Sequence, residues 1–385
     1  MDKCWCGNDK LDNYSDDYLL CGRCHTLVSK AVFQNQIYHV SDEENDLYGK
    51  NYWEKTMIQE AGVETLDEII DMYLCERVPY WLKYILKYIP LDGKVAEIGC
   101  GLGQLAYLMK QIGYNQTAYE LSPHICEYVQ DRLGIDIVCK PFAETDETYN
   151  AILAFDVLEH ILDPQEFISN CTSHLANDGI MCLQTPCYDE TLSYQEMCQQ
   201  KPHFNNLLVK DQHIYLYSRE SIKKILESAG MLYFAFEPAF FGDDYDMFLF
   251  ASKEPICINS EEQIRDFYYS SERGRIVKAL ISLSDKSRII EKQFLEADSD
   301  RMKRMEQITS LTDMLKESEA DRAARLEQIN TLTQMLKESE ADRVARLEQI
   351  NTLTQQLQES EADRSARLEQ INTLTQLLTD KTSHD

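Results

Sequence analysis

A glycine-rich turn between a strand-like and a helix-like segment constrains the fold of this chain more than any other feature. The pattern predicts a strand over residues 94–98 and a helix from about Gln104. Three glycines occupy the turn between them: Gly99, Gly101 and Gly103. Glycines at such a turn let the backbone approach a ligand closely and present amide donors to it.

Short apolar strands alternate with amphipathic helices over residues 93–255, which is typical of a parallel α/β sheet. The second strand, over residues 116–120, ends in Glu120. A carboxylate at the tip of this strand can accept hydrogen bonds from both hydroxyls of a ribose. The turn and this carboxylate predict a nucleoside cofactor, and by themselves they do not separate NAD from S-adenosylmethionine.

Later motifs occur in a fixed order. A third strand is expected at residues 135–139, a fourth leads into Asp156-Val-Leu-Glu-His160, and a fifth follows a Leu-x-x-x-Gly turn and ends in Thr185-Pro186. The segment from His213 leads into a further helix. Together these motifs resemble the class I S-adenosylmethionine-dependent methyltransferases over about residues 93–252. The resemblance implies a seven-stranded Rossmann-like α/β sheet and S-adenosylmethionine as the cofactor.

The resemblance also implies cofactor contacts, position by position. Glu97 and the three glycines would hold the methionine moiety, and Glu120 the ribose. Phe142 would stack on the adenine, with the backbone amide of Ala143 beside it, while Phe155 and Asp156 would lie next to the sulfonium. The nine positions are Glu97, Gly99, Gly101, Gly103, Glu120, Phe142, Ala143, Phe155 and Asp156.

Three residues are candidates for catalysis. His160 and His213 are the histidines best placed to take a proton from an acceptor oxygen or nitrogen. Glu159 precedes His160, and it could balance the sulfonium charge; the pair could instead cap the following helix and line the pocket. Residues 188–212 form an insertion after the fifth strand, interpreted either as a substrate lid or as a surface excursion.

Four cysteines cluster near the N-terminus in two pairs: Cys4, Cys6, Cys21 and Cys24. Two pairs of soft ligands on two short turns favour a tetrahedral zinc ion, with His25 as an alternative ligand. Four protein ligands leave no open position, so such a zinc would be structural. Unligated thiols are the other interpretation.

The C-terminal part repeats every 21 residues, beginning at Arg304, Arg325, Arg346 and Arg367. Twenty-one residues are three heptads, so an apolar stripe keeps its register through each copy and predicts a self-associating coiled coil. A cysteine cluster joined to this type of methyltransferase is similar to enzymes that methylate sugars of antibiotics and surface polysaccharides. With the repeated tail, the architecture resembles polysaccharide chain-terminating methyltransferases, in which a coiled coil spaces the terminator from the polymerase.

These observations lead to one organisation and one functional hypothesis. The predicted parts are a zinc-binding segment (1–40), a helical lead-in (41–92), the methyltransferase domain (93–255), a helical linker (256–295) and a coiled coil (296–385). The expected activity is methylation of a sugar, glycan end or other small-molecule acceptor. The alternatives are a non-catalytic scaffold that binds the cofactor and a protein methyltransferase.

The charge and the hydropathy of the chain bear on its partners and location. A formal net charge of −28 argues against nucleic acid as a partner. No apolar run reaches the length of a membrane span and no secretory signal is recognisable, which predicts a cytoplasmic protein. A polysaccharide-synthesis partner would bring it to the inner face of the membrane.

Overall fold

The structure is a computed structural model that describes residues 3–31, 40, 44, 46, 48–201, 203–242 and 245–381. The chain divides into two compact units, Met1–Glu291 and Lys292–Asp385. The first unit contains two β-sheets and most of the helices, and the second is entirely helical over its described residues.

The larger sheet has seven strands, which confirms the Rossmann-like α/β prediction. In chain order they are β4 (Lys94–Ile98), β5 (Asn115–Glu120), β6 (Ile137–Cys139), β7 (Tyr149–Phe155), β8 (Leu175–Pro186), β10 (Tyr233–Glu237) and β11 (Asp246–Ser252). Their spatial order is β10-β11-β8-β7-β4-β5-β6. The pairs among β4 to β8 are parallel, whereas β11 runs antiparallel to both β8 and β10.

The order of the strands places a switch point between β4 and β7. From β4 the chain builds outward through β5 and β6, then returns to the other side of β4 to form β7 and β8. In open α/β sheets the crevice beyond the carboxyl ends of the strands at such a point is where ligands bind. The topology therefore directs attention to the loops after Ile98 and Phe155.

Helices cover both faces of this sheet, which explains why its central strands are mostly apolar. One core cluster joins Ile98 and Ile152 to Ile222, and another joins Val95 and Leu153 to Leu82. The helices of this unit are α1 (Ile58–Ala61), α2 (Leu66–Cys75), α3 (Arg77–Tyr88), α4 (Gln104–Ile112), α5 (Pro123–Leu133), α6 (Pro164–Ser173), α7 (Tyr194–Gln200), α8 (Arg219–Ser228) and α9 (Glu261–Ser270). A π-helical turn, Tyr52–Met57, precedes α1.

The smaller sheet joins the N-terminal segment to a later part of the chain. Its order is β1 (Leu11–Asn13), β2 (Tyr18–Cys21), β3 (Leu27–Ser29) and β9 (Tyr215–Leu216), all antiparallel. Residues of the 188–212 insertion pack on this sheet in one apolar cluster, where Phe204 and Met197 meet Tyr18. The insertion is thus held against the N-terminal segment.

A single long helix, α10 (Glu272–Lys381), ends the described chain. It confirms that the repeated sequence is helical, and it begins within the segment predicted as a linker. The apolar residues of the repeat, such as Ile329, Leu332 and Leu336, are exposed in the single chain. Each repeat also carries an ion pair four residues apart on the helix, for example Arg325 with Asp321. Among the described residues, no helix is both long enough and apolar enough to cross a membrane.

Candidate active site

A cavity of about 710 Å³ lies at the carboxyl ends of β4, β5 and β7. Its volume is within the range of small-molecule and cofactor sites. Every residue that the sequence analysis assigned to cofactor binding or catalysis lines it, except Gly103. The glycine turn and the catalytic candidates, which are far apart in the sequence, are therefore parts of one site.

The glycine turn approaches the cavity in a left-handed conformation. The φ angles of Gly99 and Gly101 are 67° and 50°, which residues with a Cβ rarely adopt. A Cβ on Gly101 would lie 3.0 Å from the indole ring of Trp53. The amides of Gly99 and Cys100 donate to the carbonyl of Tyr119, which fixes the turn on β5.

Gly103 has another role. It has a φ of 71° at the start of α4, and a Cβ there would come within 2.8 Å of Val129. It is absent from the cavity lining and lies where α4 packs against α5.

Glu120 holds the end of the glycine turn from the tip of β5. Its Oε2 accepts a hydrogen bond from the amide of Gly101 at 3.1 Å, and its Oε1 accepts from the amides of Leu121 and Ser122 at 2.8 and 3.1 Å. Burial raises the pKa of this carboxyl, while the three amides oppose that shift. Since a carboxylate offers about four acceptor positions, Glu120 retains capacity for a ligand hydroxyl.

Glu97 lies on the adjacent strand and is almost fully buried. Its Oε2 accepts a hydrogen bond from the Gln116 side chain at 2.9 Å. Burial raises the pKa of Glu97 to about 8, and the bond from Gln116 opposes this only in part. An unbalanced buried carboxyl beside the cavity is suited to pair with a cationic ligand group, such as the amino group of a methionine moiety.

The rest of the cofactor end is aromatic. Phe142 is buried and its ring makes an edge contact with Tyr119, at 5.1 Å between centroids. It begins a short 3₁₀ turn that also carries Ala143, and both residues line the cavity beyond β6. This apolar wall is compatible with a stacked base, as predicted for Phe142.

At the end of β7, a series of polar contacts holds the side chain of Asp156. Sequence reasoning did not identify most of the residues that make these contacts. Asp156 has a φ of 56°, unusual for a residue with a side chain. Arg77 lies 3.3 Å from its Oδ2, and the Gln184 amide donates to its Oδ1 at 3.2 Å. The Trp81 indole donates to the Gln184 oxygen and stacks on Phe155 at 4.4 Å. Arg77 could have been identified from the sequence as a cation on the otherwise apolar face of the helix that became α3.

Asp246, at the start of β11, is a second missed carboxyl. It is 2% exposed, and its Oδ2 has no hydrogen-bond partner among the described residues. Burial and the nearby charge of Asp156 raise the pKa of Asp246 to about 8, with Arg77 acting in the opposite direction.

The lead-in to α1 contributes aromatic lining residues that sequence reasoning also missed: Tyr48, Tyr52 and Trp53.

The two candidate bases lie beside each other. The ring centroids of His160 and His213 are 5.1 Å apart. The Nδ1 of His160 lies 2.9 Å from the carbonyl of Gln212, and the Nδ1 of His213 lies 2.8 Å from the carbonyl of Leu207. Since a carbonyl only accepts, each Nδ1 carries the hydrogen and each Nε2 a lone pair. Burial, together with the His213 ring, lowers the pKa of His160 to about 3, and burial also lowers that of His213.

Glu159 is 1% exposed and lies directly under this pair. The hydroxyl of Thr185 donates to its Oε2 at 2.9 Å, and its Oε1 lies 3.8 Å from the Nε2 of His160. Burial and the charge of Asp156 raise the pKa of Glu159 well above the ordinary value.

Of the 188–212 insertion, Gln212 alone among the described residues lines the cavity, so the insertion contacts the site chiefly through its C-terminal end.

The four N-terminal cysteines converge at a separate place. Their Sγ atoms all lie within 4.8 Å of one another, with 3.4 Å between Cys4 and Cys24 and 3.6 Å between Cys6 and Cys21. Thiolates at about 2.3 Å from a tetrahedral zinc would be about 3.8 Å apart, so the donor set fits that ion. His25 is not in this group, and its carbonyl instead accepts a hydrogen bond from the hydroxyl of Tyr188.

Comparison with known proteins finds methyltransferases. Residues 67–232 match the family described as a methyltransferase domain. Among curated relatives, the ubiquinone biosynthesis O-methyltransferase of Parvibaculum lavamentivorans is 31% identical over 102 residues, 24% of this chain and 40% of that protein. The enzyme of that name from Coxiella burnetii is 29% identical over 116 residues, 28% of this chain and 50% of its own. The chain thus spans half or less of the length of these two relatives.

A solved structure with partial likeness is human N-acetylserotonin methyltransferase in complex with S-adenosylmethionine. It is 16% identical, with a TM-score of 0.41 over 54% of this chain and 59% of that one. Independently of that structure, the family match over residues 67–232 and the seven-stranded sheet support a class I S-adenosylmethionine-dependent methyltransferase domain.

Proposed function

We propose that the protein transfers the methyl group of S-adenosylmethionine to a hydroxyl of a sugar or glycan end. The observation that carries this proposal is the pair of imidazoles, each with its Nδ1 on a backbone carbonyl, that line the same cavity as the glycine turn and Glu120. Polar groups of Arg77, Asp156 and Asp246 line the same cavity. Such groups can orient an acceptor that carries several hydroxyls.

The cofactor supplies a methyl group already activated by its positive sulfur. The glycine turn would admit the methionine moiety close to the backbone, Glu97 would pair with its amino group, and Glu120 would accept from the ribose hydroxyls. Phe142 would cover the base. These contacts fix the position of the methyl group, which matters because in-line transfer depends on alignment.

Removal of the acceptor proton falls to His160 or His213. Each has an Nε2 that can accept a proton, and each is held by a hydrogen bond from Nδ1 to a backbone carbonyl. At His160, a proton transferred to Nε2 would leave an imidazolium 3.8 Å from Oε1 of Glu159, which would stabilise it when ionised.

The test is methyl transfer by the full chain to a panel of acceptors, scored by the mass gain of the product. The panel contains oligosaccharides with defined terminal sugars, catechol-type phenols, and a peptide library. Glu127→Gln, on the exposed face of α5, is the control for Glu120→Gln. Transfer to oligosaccharides supports the proposal. Transfer only to phenols or peptides would replace the acceptor, and cofactor binding without any product would indicate a scaffold.

We propose also that the four N-terminal cysteines hold one structural zinc ion. The convergence of their sulfurs supports this, as does their burial beside the small sheet. Elemental analysis of the purified chain should find one zinc, which is lost in Cys21→Ser with Cys24→Ser and retained in Cys257→Ser, an exposed cysteine. An unchanged zinc content in the double variant would contradict the assignment.

We propose further that α10 self-associates through its apolar stripe and that the assembly works in the cytoplasm. Fourteen large apolar side chains from Ile329 to Leu378 are at least 50% exposed in the single chain. A lone helix in water gains no stability from such a stripe, because helical stability in proteins comes mostly from packing of the apolar face. Recruitment to a polysaccharide-synthesis partner at the inner face of the membrane is the role proposed for the associated tail.

A further inference from the structure

Three potential metal ligands converge within the cavity: Glu159, His160 and His213. Their donor atoms all lie within 4.8 Å of one another, and the Glu159 Oε1 to His160 Nε2 distance is 3.8 Å. Two donors about 2.1 Å from one ion lie at most about 4.2 Å apart, so a side-chain shift of under about 1 Å would let all three reach it.

Each of the three side chains is already oriented for ligation. Both histidines donate from Nδ1 to a backbone carbonyl, so both Nε2 lone pairs are available. Metal-bound histidines are commonly held by such a second hydrogen bond. Thr185 occupies Oε2 of Glu159 and leaves Oε1 without a hydrogen-bond partner among the described residues.

The backbone also holds the two contributing segments together. Glu159 and His160 belong to a short 3₁₀ turn after β7, and the amide of Ile214 donates to the carbonyl of Glu159 at 2.8 Å. This bond fixes His213 beside the turn. The three donors therefore keep their arrangement without depending on a mobile side chain.

Without a ligand, this arrangement is costly. A buried carboxyl oxygen without a partner loses its hydration and gains no hydrogen bond in return. The two imidazoles, with ring centroids 5.1 Å apart, have the Glu159 carboxyl beside them and gain little attraction from one another. A cation in this space would interact favourably with all three donors.

We propose that Glu159, His160 and His213 bind a divalent first-row transition cation at the acceptor end of the cavity. Two imidazole nitrogens and one carboxylate oxygen favour Mn²⁺, Fe²⁺, Co²⁺ or Zn²⁺ over Mg²⁺ and Ca²⁺, which take mainly oxygen ligands. Three protein ligands leave coordination positions open, and the cavity is the space beside them. An acceptor with two neighbouring hydroxyls is the chemical class that would occupy two such positions.

The consequence for catalysis, unlike the binding of the cation, rests on the proposed function. A bound divalent cation lowers the pKa of a hydroxyl that it contacts. With the cation bound, the two histidines would position it, and proton removal by an imidazole, as in the proposed function, would apply only to the site without a cation. The acceptor hydroxyl would release its proton to water as the methyl group forms its new bond to oxygen and leaves the sulfur.

The experiment is Mn²⁺ binding to the full chain, followed by electron paramagnetic resonance. Manganese is a suitable probe because it has little preference for thiolates, so the cysteine cluster does not compete. Nitrogen hyperfine coupling identifies histidine ligands, whereas Mn²⁺ bound loosely by the acidic surface shows none. His160→Gln and His213→Gln should each remove the coupling of one of the two imidazole nitrogens and weaken binding by about tenfold or more, and the double variant should show no nitrogen coupling.

His203→Gln, an exposed histidine outside the cavity, is the matched control and should bind Mn²⁺ like the wild type. Glu159→Gln keeps the shape of the site, and it should weaken binding with the nitrogen coupling retained at high Mn²⁺. Wild-type protein without nitrogen coupling, or variants that bind like the control, would overturn the proposal. Nitrogen coupling in a protein that methylates no acceptor would support the cation site and count against the proposed function alone.

Discussion

The hydroxyl of Tyr18 donates a hydrogen bond to the carbonyl oxygen of His213, at 2.9 Å across 195 positions of sequence. Tyr18 begins β2, the strand that ends in Cys21, and is fully buried. The pairing of β3 with β9 begins two residues after His213. The cysteine segment is therefore part of the structure that positions a candidate catalytic residue, and not an independent attachment.

Tyr18→Phe tests this connection. The substitution removes one hydrogen bond and leaves the His213 carbonyl without that donor, so we expect a loss of about 1 kcal/mol in the free energy of unfolding. We also expect a lower kcat, because His213 would be held less firmly. Thermal unfolding and steady-state kinetics measure the two effects. Tyr233→Phe, on an exposed edge strand, is the control, and a kcat equal to the control's would refute the positioning role.

Glu120→Ala should weaken S-adenosylmethionine binding by about 2 kcal/mol, about 30-fold in Kd. Two effects combine, since the variant loses an acceptor for the ribose and also the support of the Gly101 amide. Calorimetric titration gives the affinity, with Glu127→Ala as the control. A Kd within about twofold of the control's would mean that the ribose is held elsewhere.

Glu97 should make stability depend on pH. Its folded pKa of about 8 is above the ordinary value of 4.5, so the folded state holds its proton more tightly than the unfolded state does. The free energy of unfolding should therefore fall as pH rises from about 4.5 to 8. Glu97→Gln removes this penalty, and in the absence of cofactor it should be more stable at pH 8 by on the order of 1 kcal/mol.

The pH dependence is measured by thermal unfolding of the wild type and of Glu97→Gln at several pH values. Asp246 and the other titrating groups contribute equally to the stability of these two proteins, so their difference reports Glu97. The excess stability of Glu97→Gln over the wild type should shrink toward pH 5, and the control Glu127→Gln should show no such trend. At the same time the variant should bind cofactor more weakly, because its neutral amide cannot pair with an amino group. A stability difference that is constant over pH would contradict the role of burial.

Much of the fold followed from local patterns in the sequence. β4 has the predicted bounds, and β8 ends at Pro186 as the Thr-Pro signal indicated, because alternation and turn chemistry are local properties. The start of β8 differs, since the strand begins at Leu175 and includes the Leu-x-x-x-Gly segment that was predicted to precede it. The fourth strand ends at Phe155, and not within the following motif, since Asp156 adopts a left-handed conformation. Arg77, Trp81 and Asp246 could not be assigned from sequence, because only tertiary packing brings them beside the end of β7.

The same distinction applies to Gly103 and to the N-terminal segment. A glycine pattern does not show which glycine faces a ligand and which one makes room for Val129. Pairing of β3 with β9 joins residues almost two hundred positions apart, and no local signal specifies such a pair. The tail was accessible from sequence because its structure is repetitive: each ion pair and each apolar position recurs every 21 residues.

The heptad register of the repeated helix predicts that two kinds of deletion affect self-association differently. Removing one repeat, residues 336–356, keeps the heptad register and should leave the oligomeric state unchanged in analytical ultracentrifugation. Removing ten residues, 336–345, shifts the apolar positions to another face and should weaken association, because ten is not a multiple of seven. Equal association of the two variants would show that the apolar stripe is not the contact.

The 21-residue deletion also distinguishes two roles for the tail, a spacer that sets a distance to a partner and a helix that only self-associates. It shortens the helix by about 31 Å at the helical rise per residue. If the tail sets the distance between the methyltransferase and a polymerising partner, cells with three, two or one repeats should differ in the length distribution of their glycan, seen as a shifted band pattern on a gel. Methylation of a short soluble acceptor should stay the same in all three, because the methyltransferase domain is unaltered. A distribution that does not change with the number of repeats would refute the spacer, and self-association would then suffice to explain the repeated helix.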